Sequence, residues 1–357
     1  MMNTIKIYFG YPTKYLSMYY LIITILSFSI LRAASQDILN HHNGIQPHAI
    51  KNSVATHSNA QKVKVGFYAQ NIYELDPESN TYYMDFYVWF NWKGEIDPTE
   101  KIEFMNGVED WGMTKVSVYD VPKLLADSSY YQAIRVEGRF RENFRFERFP
   151  LDEQKLGVVI ENSVHTENEI IYYADTLASG YASDMEIPGW EFKNYSITNF
   201  SHTYATNFGE PETGNKISSY SALRFELLVS RPANYFIWKL LLPLIIVLLA
   251  SWGALLLDPR RVDSRILLPI TALLTTVFLQ QNYSDSLPAV SYLVLLDKIY
   301  VLAYLTIIIA IMVTIYTAGI VKEENQKSIN RVKKIDRIFL VSKFILFVVG
   351  VIVLLFI

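Results

Sequence analysis

Apolar and polar positions divide the chain into regions of three different patterns. Residues 19–31 form a short apolar run, residues 60–230 alternate apolar and polar positions in short segments, and four long apolar runs follow Arg231. Alternation with a period of two is typical of half-buried β-strands, whereas about twenty apolar residues suffice for a helix that crosses a bilayer. The sequence therefore predicts a β-rich domain followed by a helical membrane domain.

The β-rich domain is predicted over residues 61–231. Its segments are rich in Tyr, Phe, Val and Trp, as in Val63–Tyr68 and Tyr83–Phe90. Turn-forming residues interrupt these segments, for example at 76–80, 92–94 and 210–214. Many short strands at this spacing predict an all-β, immunoglobulin-like sandwich rather than a fold with alternating strands and helices.

The helical domain is predicted over residues 232–357. Its apolar runs predict an α-helical four-span bundle with spans near 234–257, 264–284, 292–321 and 338–357. Basic residues are concentrated after the first span and after the third, whereas the connection after the second span carries Asp285 and no base before Lys298. Because basic connections stay in the cytoplasm, the β-sandwich and the C-terminus are expected on the extracytoplasmic side.

The N-terminal region has the pattern of a secretory signal. Lys6 and Lys14 precede the apolar run, and the small residues 33–35 follow it. This order predicts a signal peptide over residues 1–35, with a retained membrane anchor as the alternative. Residues 36–60 are polar and aperiodic, which predicts a flexible leader. Four histidines in this leader leave a metal-binding tract as its alternative: His41, His42, His48 and His57.

The second span differs from the other three because it carries polar residues along one side. Positions three or four residues apart give the set that we call the pore stripe: Asp263, Ser264, Leu267, Thr271, Leu274, Phe278, Gln281 and Asp285. Polar groups at membrane depth should face protein or water rather than lipid. Several copies of this helix around an axis would enclose water, with Leu274 and Phe278 as an apolar constriction and acids at both entrances. The alternative is a monomeric four-helix bundle in which neighbouring helices satisfy Thr271 and Gln281.

Composition excludes several other classes of protein. The net charge of −3 and the absence of a basic patch argue against a nucleic-acid partner. The chain has no cysteine, so disulfides, thiol catalysis and thiolate metal sites are excluded. A carbohydrate-cleaving enzyme is the rival class, but no catalytic motif or metal-ligand cluster marks the ordered part, and we expect neither enzyme activity, metal nor cofactor.

Several motifs in order resemble one family. The segment Phe149–Gln154 resembles the Phe-Pro-x-Asp-x-Gln signature of the pentameric ligand-gated ion channels, or Cys-loop receptors. The segments 187–191, 231–232 and 286–292 resemble further segments of the same family. The two cysteines that close the signature loop in animal members would fall at Glu142 and Leu156, so the chain is similar to the bacterial branch, which lacks the disulfide and the large intracellular domain.

The resemblance implies a homopentamer that binds a small-molecule agonist between subunits. By position, the residues expected to form the agonist site are Glu161, Tyr204 and Tyr220 on one subunit and Tyr68 and Tyr87 on the opposing face. Aromatic rings and a carboxylate suit a cationic amine, and protons are the alternative agonist. The resemblance also implies that a set of residues couples the two domains: Phe149, Pro150, Asp152, Arg231 and Pro288.

Together these features predict a ligand-gated ion channel subunit, a multi-pass protein of the cell membrane in contact with lipid. Asp263 and Asp285, and the absence of the Pro-Ala pair that precedes the equivalent of Arg265 in anion-conducting relatives, favour permeating monovalent cations. The alternative is a pentameric ligand-binding receptor with little or no conduction. Leu267 favours that alternative, because the family often has a small polar residue at this position.

Overall fold

A computed structural model of the chain describes residues 60–209, 217–285, 287–321 and 325–356. The predicted signal peptide, the predicted leader up to residue 59 and the predicted turn at 210–214 lie outside the described residues. Within the described residues, strands occupy the N-terminal part and long helices the C-terminal part. The predicted fold class, an all-β sandwich followed by four membrane helices, is confirmed.

The described strands form two sheets. In chain order they are β1 Gln61–Asp76, β2 Thr81–Trp92, β3 Ile102–Phe104, β4 Thr114–Ser117, β5 Lys123–Leu124, β6 Tyr130–Arg141, β7 Glu153–Asn162, β8 Ile170–Ala174, β9 Gly180–Tyr181, β10 Glu191–Tyr204 and β11 Ser218–Ser230. One sheet has the order β4-β6-β2-β1-β8, with β5 paired to β6 and β9 to β1. The other has the order β10-β11-β7-β3. All pairs are antiparallel except those of β1 with β8 and β9.

Aromatic side chains join the two sheets at the centre of the sandwich. Phe67 of β1 stacks on Phe86 of β2 at 4.4 Å between ring centroids and on Phe225 of β11 at 4.8 Å. Tyr82 adds a polar link, because its hydroxyl donates to the carbonyl oxygen of Gly157 in the opposite sheet at 2.5 Å. Buried aromatic pairs of this kind stabilise a core beyond their area alone. Because the chain has no cysteine, packing rather than a disulfide holds the two sheets together.

Four helices follow the sandwich in the described residues: α1 Ala233–Leu256, α2 Val262–Ser284, α3 Leu295–Val321 and α4 Gln326–Phe356. Each is long and apolar enough to cross a membrane. Helix α4 begins well before the apolar run predicted near residue 338, because the basic segment ahead of that run is also helical. Lys and Arg are good helix formers, so a helix can extend beyond the apolar run that predicts a span.

Helix α2 buries one side against its own bundle. Its buried residues recur at helical spacing: Arg265, Pro269, Ala272, Thr276 and Tyr283. The helix is continuous through Pro269. Burial on this side leaves the opposite side of α2 available to face something other than the chain's own helices.

Candidate functional site

The side chains of the pore stripe all lie on the exposed side of α2 in the single chain. Leu267, Leu274 and Phe278 are 64%, 56% and 64% exposed. Thr271 Oγ1 donates to the carbonyl oxygen of Leu267 at 2.9 Å, and Gln281 Nε2 donates to Asp285 Oδ1 at 2.9 Å, so the two polar side chains bond within α2 itself. The stripe therefore faces away from its own bundle, as a pore between several copies requires.

Arg265 lies on the buried side of the same helix. Its Nη2 donates to Asp336 Oδ2 of α4 at 2.7 Å, and the two side chains are 0% and 2% exposed. Lys343 of α4 is also buried. A buried ion pair of this kind ties the N-terminal part of α2 to α4 and turns the guanidinium away from the pore stripe.

The signature loop meets Arg231, which lies at the end of the sandwich just before α1. Arg231 Nε donates to Asp152 Oδ1 at 2.9 Å, and the guanidinium lies 5.1 Å from the Phe149 ring and 4.2 Å from the Trp190 ring. Four of the predicted coupling residues thus lie together, since Pro150 directly follows Phe149. The cation is held by a buried carboxylate and by two aromatic faces.

Contacts of the same loop with α2 and α3 complete the junction. The amide groups of Leu295 and Leu296, at the start of α3, donate to the carbonyl oxygens of Glu147 and Phe149 at 2.9 and 3.2 Å. The Phe149 ring stacks on Tyr283 of α2 at 6.4 Å. The linker that carries Pro288 reaches the loop through Tyr292, whose hydroxyl accepts a hydrogen bond from the Phe146 amide at 3.1 Å.

Three of the predicted agonist-site residues converge on the four-stranded sheet. The hydroxyl of Tyr204 in β10 donates to Glu161 Oε1 in β7 at 2.7 Å, and the Tyr204 ring packs edge to face on Tyr220 of β11 at 5.8 Å. Burial raises the pKa of Tyr204 well above its usual range, and the hydrogen bond to Glu161 raises it further. His202 Nδ1 lies 2.8 Å from Glu161 Oε2. We call Glu161, His202, Tyr204 and Tyr220 the Glu161 cluster.

The other two predicted agonist-site residues lie on the seven-stranded sheet. Tyr68 of β1 and Tyr87 of β2 are direct cross-strand partners and are half-buried. The guanidinium of Arg135 lies 6.0 Å from the Tyr87 ring and also pairs with Asp85 at 2.7 Å. Within one chain these tyrosines belong to a different sheet from the Glu161 cluster.

The sequence reasoning did not predict four contacts of these sites. They are those of His202 with Glu161, Trp190 with Arg231, Tyr283 with Phe149, and Arg265 with Asp336. His202 could have been found, because it lies two residues before Tyr204 and therefore on the same face of a strand. Asp336 had no such signal. It lies in a basic helical segment, and its partner is seen only in the folded bundle, where Asp336 reaches Arg265 of α2.

The fold and the sites define a multi-pass membrane protein in which a β-sandwich is joined directly to four apolar helices. The chain is similar in sequence to a gamma-aminobutyric acid (GABA) receptor subunit beta from Lymnaea stagnalis, with 27% identity over 166 residues, 46% of this chain and 31% of the relative. It is 29% identical over 160 residues to a glutamate-gated chloride channel subunit beta from Haemonchus contortus, covering 43% of this chain and 34% of the relative. It is 23% identical over 202 residues to the human GABA receptor subunit rho-3, covering 54% of this chain and 40% of the relative.

These comparisons support the resemblance at the level of receptor and channel subunits. The chain spans roughly a third of the length of these relatives, and no protein-family model matches it. All three relatives are receptor or channel subunits rather than enzymes, in agreement with the lack of a catalytic motif in the sequence. The Haemonchus contortus relative is a chloride channel subunit, so the comparison does not support the prediction of cation selectivity.

Proposed function

We propose that the chain is a subunit of a homopentameric ligand-gated ion channel of the cell membrane. The observation that carries this proposal is the exposed pore stripe of α2, which has acids at both ends and apolar side chains at its centre. In a ring of five copies, Leu274 and Phe278 would form a constriction that excludes water and blocks ions. The sandwich would lie outside the cell and the basic connections inside it.

The contacts of the signature loop support a route from ligand to pore. The loop is hydrogen-bonded to the start of α3, and its Phe149 ring stacks on Tyr283 of the pore helix. An agonist that favours one arrangement of the sandwich would shift the position of this loop and, with it, the tilt of α2. The Glu161 cluster, completed by Tyr68 and Tyr87 of a neighbouring copy, is the proposed agonist site, and its carboxylate and rings suit a cationic amine.

Recording from cells that express the full chain tests this proposal. GABA, glutamate, short primary amines and a range of external pH would be applied in turn, because the relatives are GABA receptor and glutamate-gated channel subunits. We expect a current that depends on one of these agonists or on protons. Leu274→Ala should raise the resting current because the constriction loses bulk, whereas Ile345→Ala, on an exposed part of α4, should not.

The residues of the pore stripe and the comparison with relatives favour different permeating ions. Asp263 and Asp285 lie exposed at the two ends of the pore stripe and favour cations, and Arg265 is turned away from the stripe. One relative, however, is a chloride channel subunit. Reversal potentials in a gradient of sodium chloride decide between the two, and Asp263→Lys should move the reversal potential toward chloride if this acid sets the selectivity.

The exposed Leu267 favours a second candidate, a pentameric receptor that binds ligand with little or no conduction. A ring of leucine near the cytoplasmic end would narrow and dry that part of the pore. Purified protein that binds an agonist while the expressed chain stays silent would indicate this receptor. Recovery of current in Leu267→Thr would then identify the leucine ring as the block.

A further inference from the structure

Asp297 lies in the first turn of α3, where the signature loop also makes contact. Its Oδ2 accepts a hydrogen bond at 3.1 Å from the amide of Val294, the residue just before the helix. A carboxylate that reaches back in this way satisfies one of the donors that a helix start leaves without an intrahelical partner. The amides of Leu295 and Leu296 donate to carbonyl oxygens of the signature loop. The start of α3 is therefore capped partly by Asp297 and partly by the loop.

The other oxygen of the same carboxylate bonds to the pore helix. The Tyr283 hydroxyl of α2 donates to Asp297 Oδ1, and Gln280 Nε2 lies 3.4 Å from the same oxygen. The Tyr304 hydroxyl of α3 donates to Gln280 Oε1 at 2.6 Å, an arrangement that leaves the amide nitrogen of Gln280 facing Asp297. Gln280 directly precedes Gln281 of the pore stripe. One carboxylate thus joins the C-terminal end of α2 to the start of α3.

A role as a helix cap explains only part of these contacts. Capping requires the bond to the Val294 amide, which concerns α3 itself. The bond from Tyr283 joins two helices, and Tyr283 is 3% exposed, so water does not replace this bond readily. A hydrogen bond to a charged acceptor changes an equilibrium constant by about tenfold or more. The contact between Asp297 and Tyr283 is therefore strong enough to influence how α2 moves.

We propose that Asp297 is a positioning residue that ties the C-terminal end of the pore helix to the loop-capped start of α3. This inference deepens the proposed function and rests on it only for the role in pore opening. A shift of the signature loop moves the amides that it caps, and Asp297 carries this movement to Tyr283. Without the carboxylate, the ring contact of Phe149 with Tyr283 remains, but it fixes direction less strictly than a hydrogen bond does. Agonist binding should then open the pore less effectively.

Hydrogen exchange of the purified full chain, followed by mass spectrometry, tests this link whether or not the chain conducts. Tyr283→Phe keeps the ring and removes the hydroxyl. It should raise the exchange rate of residues 277–284 about tenfold, because this end of α2 opens more often without the bond. Asp297→Ala should raise exchange there by at least as much, and at the start of α3 as well. The double variant should exceed Asp297→Ala very little, since both substitutions remove one interaction.

Currents from cells that express the same variants test the role in opening. With GABA, glutamate and steps of external pH, Tyr283→Phe should need about tenfold more of whichever agonist opens the unmodified channel. Asp297→Glu keeps a carboxylate on α3 and should recover most of the response that Asp297→Ala loses. The matched control is Tyr316→Phe, which removes the hydroxyl of an exposed tyrosine on α3 and should change neither exchange nor currents.

Unchanged exchange of α2 in Tyr283→Phe, with a rise only at the start of α3 in Asp297→Ala, would reduce Asp297 to a helix cap and overturn the proposal. Fully additive effects in the double variant would also overturn it, because the two residues would then act separately. An unchanged agonist response in Tyr283→Phe, despite faster exchange, would overturn the role in opening. Lack of any current from the unmodified chain would remove the proposed channel function, whereas the exchange rates would still decide whether the link exists. The two failures are thus distinguishable.

Discussion

Arg231 lies at the end of the sandwich, two residues before α1, and pairs there with Asp152. Its partner Asp152 is 1% exposed and Arg231 itself 18% exposed, so the pair is largely shielded from water. Asp152 also accepts a hydrogen bond from Gln154 at 2.7 Å. The carboxylate depends on both donors for its stability in this position, because a buried charge without a cationic partner is costly.

Arg231→Ala should destabilise the protein. The substitution leaves the Asp152 carboxylate buried with Gln154 but without its cation, a loss that typically costs about 3–5 kcal/mol. The apparent melting temperature of the detergent-solubilised chain would fall clearly below that of the unmodified protein. Lys155→Ala is the matched control, since Lys155 pairs with Glu226 at 3.2 Å in an exposed ion pair that is worth about 1 kcal/mol or less. Equal melting of the two variants would show that the Asp152–Arg231 pair carries little stability.

At the candidate sites, the sequence predicted which residues lie together but not all of the contacts that they make. The motif placed Asp152 and Arg231 in one site, and they form an ion pair. Glu161, Tyr204 and Tyr220 also lie together, but the sequence reasoning treated Glu161 as free for a ligand, whereas the structure gives it two internal partners. Spacing along β10 could place His202 beside Tyr204, but it could not show that both side chains reach across β11 to Glu161.

At the scale of elements, the periodicity of the sequence predicts which segments are strands and which are membrane helices. It does not predict which of these elements contact one another. Alternation predicted the β-sandwich because half-buried strands repeat every two residues. The apolar runs predicted the membrane helices, but helix α4 begins at Gln326 and includes a basic segment that no apolar run contains. The sequence reasoning used Arg265 as one of the basic residues that orient the chain and in the selectivity argument, but it did not predict that Arg265 is buried and paired with Asp336 of α4.

The Arg265–Asp336 pair leads to a prediction about helix packing. Asp336→Ala would leave the guanidinium of Arg265 buried without its carboxylate, and we expect a loss of about 3–5 kcal/mol. The melting temperature of the solubilised protein should fall, and the double variant Arg265→Asp with Asp336→Arg should recover part of the loss because it restores opposite charges. Arg337→Gln, one residue further along α4 and exposed, is the control and should melt like the unmodified chain. No recovery in the charge-swapped protein would mean that the pair acts through shape rather than charge.

At the scale of the whole molecule, one chain leaves two surfaces that its own residues do not complete. The pore stripe is exposed along α2, and the Glu161 cluster is separated from Tyr68 and Tyr87 by its position in another sheet. A cyclic assembly of identical copies would complete both at once, because each copy would contribute one part of every site. The two incomplete surfaces therefore have a single explanation in the proposed pentamer.

The lack of cysteine allows this assembly to be tested without background. Leu274→Cys places one thiol on each copy at the proposed constriction, where neighbouring copies approach one another around the pore axis. Mild oxidation should therefore give disulfide-linked dimers on a denaturing gel. Ile345→Cys is the matched control, because this residue is similarly exposed but lies on α4, and it should remain monomeric.

Native mass spectrometry of the unmodified protein should give five times the mass of one subunit. A single-chain mass, together with unlinked Leu274→Cys, would instead show a lone bundle whose pore stripe faces lipid, and the proposed channel would have to be abandoned.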